Sequence, residues 1–333
     1  MSREIERSDV VPEASDDGHA GDAIDAEGNA LPFGGRVHAD RRRGRGSVSN
    51  ASGRFESEMR EAFDDGWESL GELEALKTTV QVEQARRIIS TNDSPEISFD
   101  QSINPYRGCE HGCIYCYARP THCYLGHSAG LDFETRLYAK TNAAELLERE
   151  LANPRYQPKV IALGANTDPY QPIEREQRIT RGILEVLERA SHPVGIVTKN
   201  ALVLRDIDIL ARMAKRRLVK VAISITTLDR RLARAMEPRA STPPKRLEAV
   251  RALAAAGVPV AVMMAPIIPA LNDSEVEPLL AAVREAGASE AGYVLLRLPL
   301  EIKTLFREWL ETNEPRRAKR VVINKDATTI VDG

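Results

Sequence analysis

Between residues 96 and 312 the chain alternates short β-branched apolar runs with longer stretches whose apolar residues recur every three or four positions. The runs at 159–163, 194–198, 219–225, 258–265 and 293–298 read as strands. The stretches at 143–151, 176–189, 203–216, 244–256, 274–286 and 302–312 read as amphipathic helices. Residues 96–103, after a helix-stopping Ser94-Pro95 pair, alternate apolar with polar and supply a first strand, which makes six βα units. Strands that are apolar throughout and separated by helices predict an α/β fold of parallel strands covered by helices. In such folds ligands belong at the carboxyl ends of the strands.

The flanks lack this rhythm. Residues 1–60 are poor in large apolar side chains, and 1–30 carry nine acids against two arginines, so this leader is expected to be disordered. Its second half switches charge, with Arg36, Arg41, Arg42, Arg43, Arg45 and Arg54 spaced by glycine and serine. That run is either a solvated linker or a tether for nucleic-acid phosphates. In 61–95, Trp67, Leu70 and Leu73 and then Ala85, Ile88 and Ile89 predict one or two short helices outside the core. The domain plan is therefore a 1–60 leader, a 61–95 helical extension, a 96–312 core and a 313–333 tail.

Composition narrows the class. A net charge of −3 over 333 residues gives no global attraction to nucleic acid or to an anionic membrane. The longest apolar run, 258–271, is short and broken by Pro259, Pro266 and Pro269, which excludes it as a membrane span, and no secretory signal opens the chain. A cytoplasmic protein with reduced thiols is expected.

Candidate chemistry centres on three of the four cysteines, Cys109, Cys113 and Cys116, spaced Cys-x3-Cys-x2-Cys. Three thiolates in eight residues can hold three irons of a cubane cluster and leave the fourth iron open. Gly108 and Gly112 allow the backbone to turn tightly around such a core. The rival is zinc, with Cys123, His111, His122 or His127 as fourth ligand, in a non-catalytic module that grips nucleic acid through the arginine-rich leader.

The spacing, with Tyr115 before the last cysteine, resembles the signature of the radical S-adenosylmethionine (SAM) superfamily. The strings Asn104-Pro105-Tyr106-Arg107-Gly108-Cys109 and Tyr117-Ala118-Arg119-Pro120-Thr121-His122, and Arg43-Gly44-Arg45-Gly46 in the leader, resemble a narrower SplB-like group related to spore photoproduct lyase. The resemblance implies a partial (βα)6 TIM-like barrel, on which the arginine-rich leader would dock or whose site it would cover; a doubly wound sheet remains the runner-up. It also implies a [4Fe-4S] cluster on Cys109, Cys113 and Cys116, with SAM on the open iron. Reductive cleavage of SAM would yield a 5′-deoxyadenosyl radical that abstracts hydrogen, driven by a flavodoxin or ferredoxin donor. The substrate is unspecified, and a DNA lesion is the alternative.

By the same resemblance, Gly164, Asn166, Thr167 and Asp168 after the second strand take the SAM ammonium, and Ser224 takes the ribose. Arg239 takes the carboxylate, and Tyr115 touches the adenine or shields the cluster. Lys199 binds a carboxylate or an anionic substrate, or supports the rim through Asp168 or Glu174. Cys123 is a hydrogen-donor candidate or a spare buried cysteine. Beyond Pro315 the resemblance fails, and the tail reads as a short strand or a truncated terminus.

Overall fold

The computed structural model describes residues 37, 39–57, 75–93 and 99–323, and the acidic part of the leader and the Trp67–Leu73 pattern lie outside them. The strands are β1 (Thr79–Val82), β2 (Ile89–Thr91), β3 (Gln101–Ile103), β4 (Tyr106–Arg107), β5 (Arg136–Ala139), β6 (Ile161–Leu163), β7 (Val194–Thr198), β8 (Val219–Ser224), β9 (Val260–Ile267) and β10 (Glu290–Leu295). Seven of them form one sheet in the order β10-β9-β8-β7-β6-β3-β2. Within this sheet every pairing from β3 to β10 is parallel and each strand lies beside the sheet strand that precedes it in the chain; only β2 is antiparallel, while β1, β5 and β4 form a separate three-stranded sheet. A doubly wound sheet would reverse its order part-way. This one never does, and it has the strand order of a partial (βα)6 barrel.

Burial alternates along the strands as that architecture requires. Val194, Ile196 and Thr198 are buried beneath the helices, whereas Val197 on the opposite face is 41% exposed. The helical cover comes from Ala143–Leu151, Ile179–Arg189, Ile207–Lys215, Pro243–Ala255 and Val276–Glu285, whose apolar stripes pack with the strands in one large core. The sixth helix behaves differently. Ile302–Asn313 leaves the outer face of β10 uncovered, with Tyr293 66% exposed, and joins a second apolar core with Ile114, Tyr115, Leu232 and Met236. The Trp309 indole N–H donates to the Ala235 carbonyl at 3.0 Å.

Three expectations are corrected. The extension yields no helix among its described residues: Thr79–Val82 and Ile89–Thr91 are strands, because β-branched side chains favour extended backbone and partners are at hand. β1 pairs in parallel with β5, and Glu150 accepts from the amides of Ile88 and Ile89 at 2.6 and 3.2 Å. The tail gives a helix, Pro315–Ile323, in place of a strand, with Ala318 and Val321 against the second core. In the leader, Arg45, Ser47, Val48 and Ser49 are each at most 6% exposed, so this stretch is packed rather than solvated.

Candidate functional site

The cysteine loop leaves the carboxyl end of β3 through Asn104, whose side-chain oxygen accepts from the amides of Asn166 and Thr167 at 2.8 and 3.3 Å. It then turns at Gly108 (φ 71°) and Gly112 (φ 67°). A Cβ at Gly108 would meet the Phe133 carbonyl oxygen at 2.9 Å, and at Gly112 it would meet Glu134 Oε2 at 2.6 Å, so both positive φ and crowding demand glycine. Gln171 holds the loop at two points, accepting from the Glu110 amide at 2.8 Å and donating to the Gly108 carbonyl at 3.2 Å.

Arg119, wholly buried, pins the loop from behind. Its guanidinium donates to the carbonyls of Cys113 (2.9 Å), Gly112 (3.0 Å), Ala129 (3.0 Å) and Gly130 (2.9 Å) and to Glu134 Oε1 (2.6 Å). Glu134 also accepts from the amides of Gly46 and Ser47, each at 2.8 Å. The leader thus lies on the cysteine loop itself. Its further ties run from Ser49 to Glu308, Asn50 to Asp132 and Arg54 to Glu301. Of the basic run, Arg45 is buried and directed inward, while Arg54 is exposed and paired with Glu301.

On the other side of the loop Glu237, 2% exposed, accepts from the hydroxyls of Tyr115 and Thr226 and pairs with the buried Arg246. Burial pushes the Glu237 carboxyl up, but the Arg246 and Lys199 charges and the hydrogen bonds outweigh it and bring it down to about 2. Lys199 sits at the mouth of this network. Its ammonium donates to Ser224 Oγ at 2.6 Å, lies 4.0 Å from Glu237 Oε1 and 5.7 Å from the centre of the Tyr115 ring. It also acts electrostatically on Cys113 and Cys116.

The structure therefore brings Tyr115, Lys199 and Ser224 together beside the thiols. Asn166 is half-buried, its amide nitrogen 3.5 Å from Thr121 Oγ1. Thr167 turns inward to the Tyr106 carbonyl at 3.1 Å. Asp168 is already occupied: it accepts from Thr198 Oγ1 (2.7 Å), the Tyr170 amide (2.8 Å) and the Lys199 amide (2.7 Å), and faces His111 Nδ1 at 3.3 Å. Arg239 points away, donating to Glu110 at 2.6 Å and to the Gly44 carbonyl at 3.2 Å, and so fastens the leader to the loop. Cys123 is fully buried beside the leader, 3.2 Å from where a Gly53 Cβ would stand. Sequence reading missed Glu237 and Arg246. Arg246 falls in the apolar stripe of its helix with Val250 and Leu253, and a cation in such a stripe was the available signal.

The donor set suits a cluster. Cys109 and Cys113 are buried and Cys116 is partly open, on two successive turns closed by Gly112 N to Cys109 O (3.3 Å) and Cys116 N to Cys113 O (3.2 Å). Burial, with repulsion from its neighbours, pushes the Cys113 thiol well up, and burial with repulsion from Cys109 raises that of Cys116. Thiols so raised become thiolates when metal cations compensate the charge. Among the described residues no three His, Cys, Asp or Glu side chains converge on one ion, whereas cubane thiolates each take a different iron. Two of the histidines considered for zinc are engaged elsewhere, His111 by Asp168 and Asn200 and His127 by Tyr138, while the buried His122 packs its ring against Phe133 and leaves Nε2 without a hydrogen-bond partner among the described residues.

The family model of the radical SAM superfamily matches residues 103–283, more than half of the chain. The chain belongs to the radical SAM superfamily. This radical SAM protein is 38% identical over 226 residues to an uncharacterised protein of Mycobacterium tuberculosis (strain H37Rv), an alignment covering 67% of this chain and 66% of that relative. The chain thus spans just under two thirds of that relative's own length. It is 28% identical over 225 residues to an uncharacterised protein of Methanocaldococcus jannaschii, covering 68% of this chain and 80% of the other. Its fold is similar to that of a spore photoproduct lyase double mutant with bound AdoMet and dinucleoside spore photoproduct, at a TM-score of 0.50 and 18% identity, over 78% of this chain and 72% of that one. Among the described residues no helix is long and apolar enough to cross a membrane.

Proposed function

We propose that this radical SAM protein is a cytoplasmic enzyme that binds a [4Fe-4S] cluster through Cys109, Cys113 and Cys116 and cleaves SAM reductively to abstract hydrogen from its substrate. The observation that carries this reading is the loop itself: three thiols on consecutive glycine-assisted turns at the strand ends, inside the family domain, beside an ammonium with donors to spare. When bound, the cluster and SAM supply the electron and the 5′-deoxyadenosyl radical, and the chain's own residues bind, orient and shield.

Lys199 is the cation for the SAM carboxylate. An ammonium carries three donors, and Ser224 engages one of them. This replaces Arg239, whose guanidinium joins Glu110 to the leader. Ser224 and Asn166 remain the polar contacts for the ribose and the ammonium end, while Thr167 and Asp168 fix the strand-end turn that presents them. Glu237, held ionised by Arg246, orients the Tyr115 phenol and lies 4.0 Å from the Lys199 ammonium. Tyr115 shields the loop, being 7% exposed. Cys123 is read as a packing cysteine against the leader.

The rival readings keep less support: the DNA-lesion alternative retains the similarity of fold to spore photoproduct lyase but less of the basic leader. Of the histidines considered for zinc, His111 and His127 are hydrogen-bonded to other groups, and of the leader's arginines Arg45 is turned inward while Arg54 is exposed and paired with Glu301. The test is to reduce the reconstituted protein with dithionite in the presence of SAM. Formation of 5′-deoxyadenosine and methionine is expected, and intact SAM after full cluster reduction would refute the reading.

A further inference from the structure

Three helices on the cysteine side share one apolar core and carry exposed cations on their outer faces. Arg230–Met236 and Ile302–Asn313 pack through Leu232, Met236, Leu305, Phe306 and Trp309, and Pro315–Ile323 adds Ala318 and Val321. The same core holds Cys113, Ile114 and Tyr115, so these helices and the cysteine loop share one apolar cluster. Arg234, Lys303, Arg307, Arg316, Lys319 and Arg320 are exposed and have no ion-pair partner among the described residues. Lys303 and Arg307 stand one turn apart, as do Arg316 and Arg320, so each pair shares a helix face. Of the nearby acids, Glu314 pairs with Arg231 at 2.6 Å and lies 3.9 Å from Arg317, Glu308 receives Ser49, Asp229 caps its own helix, Glu301 pairs with Arg54, and Glu311, exposed one turn from Arg307, has an interaction of its own. In a chain of net charge −3 this is a local concentration of positive charge.

We propose that this basic cap is the docking surface for an acidic one-electron donor protein of the flavodoxin or ferredoxin class. The inference rests on the cluster reading above. One electron leaves the donor's reduced flavin or iron–sulfur group and enters the cluster; the donor is oxidised by one electron, the cluster is reduced by one, and no atom is transferred. A dense patch of like charge raises the encounter rate with an opposite partner by roughly 10- to 1,000-fold at low salt. Its position over the Cys113 side keeps the path short. Nucleic acid would feel the same field, but these helices offer no exposed ring for stacking, since Phe306 and Trp309 are each 1% exposed.

The test uses the full chain with its cluster, oxidised flavodoxin as binding probe, flavodoxin hydroquinone as reductant and a short DNA duplex as competitor. Wild-type affinity for flavodoxin, measured calorimetrically, should fall with added salt. The variant Lys303→Glu/Arg307→Glu/Lys319→Glu/Arg320→Glu should lose about tenfold or more in affinity and in the stopped-flow rate of cluster reduction. Its dithionite-driven SAM cleavage should stay at the wild-type level. The milder Lys303→Gln/Arg307→Gln variant, with an unchanged melting temperature, should show an intermediate loss. Unchanged flavodoxin affinity in both variants would overturn the proposal, and so would loss of duplex binding with flavodoxin binding intact. Wild-type protein that binds flavodoxin at this face yet cleaves no SAM with dithionite would support the surface and refute the enzymatic reading.

Discussion

Glu134 and Glu237 are both buried, both paired with a buried arginine and both set against the cysteine loop, yet their surroundings are completed differently. Glu134 receives Arg119 and two leader amides, and Arg119 donates to four loop carbonyls as well, so every strong partner is protein. Glu237 receives Arg246 and two side-chain hydroxyls and has Lys199 at 4.0 Å, on the half-open side of the strand ends. The same pair of groups makes a closed clamp where backbone fills the remaining valences, and a network that reaches Lys199 at the strand ends where side chains do. The leader side is scaffold, and the Glu237 side is the one proposed to face the chemistry.

The largest expected effect breaks the closed clamp. Glu134→Ala leaves the Arg119 charge buried without a counterion and two leader amides unmet, and should cost about 3–5 kcal/mol of stability. Urea unfolding of the cluster-free protein measures it, and a loss below about 1 kcal/mol would place Glu134 outside the scaffold. At the open site the balance reverses. Lys199→Met should weaken SAM binding to the reconstituted protein about tenfold, equal to about 1.4 kcal/mol, while unfolding shifts by no more than about 0.5 kcal/mol.

Two histidines sharpen the contrast through pH. On the Asp168 side, burial pulls His111 down but the Asp168 carboxylate and Cys109 outweigh it, to about 10. Its contribution is complete below the unfolded value of about 6.5 and is lost as pH rises through about 10. Beside Phe133, burial and then His127 pull His122 down to about 4. The unfolded chain binds the extra proton between about 4 and 6.5, so stability falls as pH drops through that window. Thermal melts of cluster-free His111→Asn should lose the alkaline slope, and those of His122→Asn the acidic one; exchanged slopes would invert the two environments. The smallest effect belongs to Arg239→Gln, an exposed-edge pair worth no more than about 1 kcal/mol. SAM affinity should be unchanged in it, and a fall matching that of Lys199→Met would return the carboxylate to Arg239.

Much of this was legible in the chain because its signals are local. β7 and the helix Ala143–Leu151 fall where periodicity put them, and the thiol spacing marked the loop. β1 and β2 were read as helix because Ala85, Ile88 and Ile89 match a helical stripe, and the pairing with β5 and the capping by Glu150 that decide the matter come from residues about 55–62 positions later. The Glu237 network spans 122 positions from Tyr115, and no local pattern announces such a partner. Arg239 was chosen for its loop position, where the polar text suited a ligand equally well; the neighbouring Glu237 proved to be the buried group.

The most direct measurement is the iron and acid-labile sulfide content of the full chain purified without oxygen, with an electron paramagnetic resonance spectrum of the reduced protein before and after SAM is added. The account predicts about four irons and four sulfides per chain, a spectrum that changes when SAM is added, and loss of both when Cys109, Cys113 or Cys116 is replaced by alanine. A colourless protein holding about one zinc, or a reduced cluster whose spectrum ignores SAM, would contradict it.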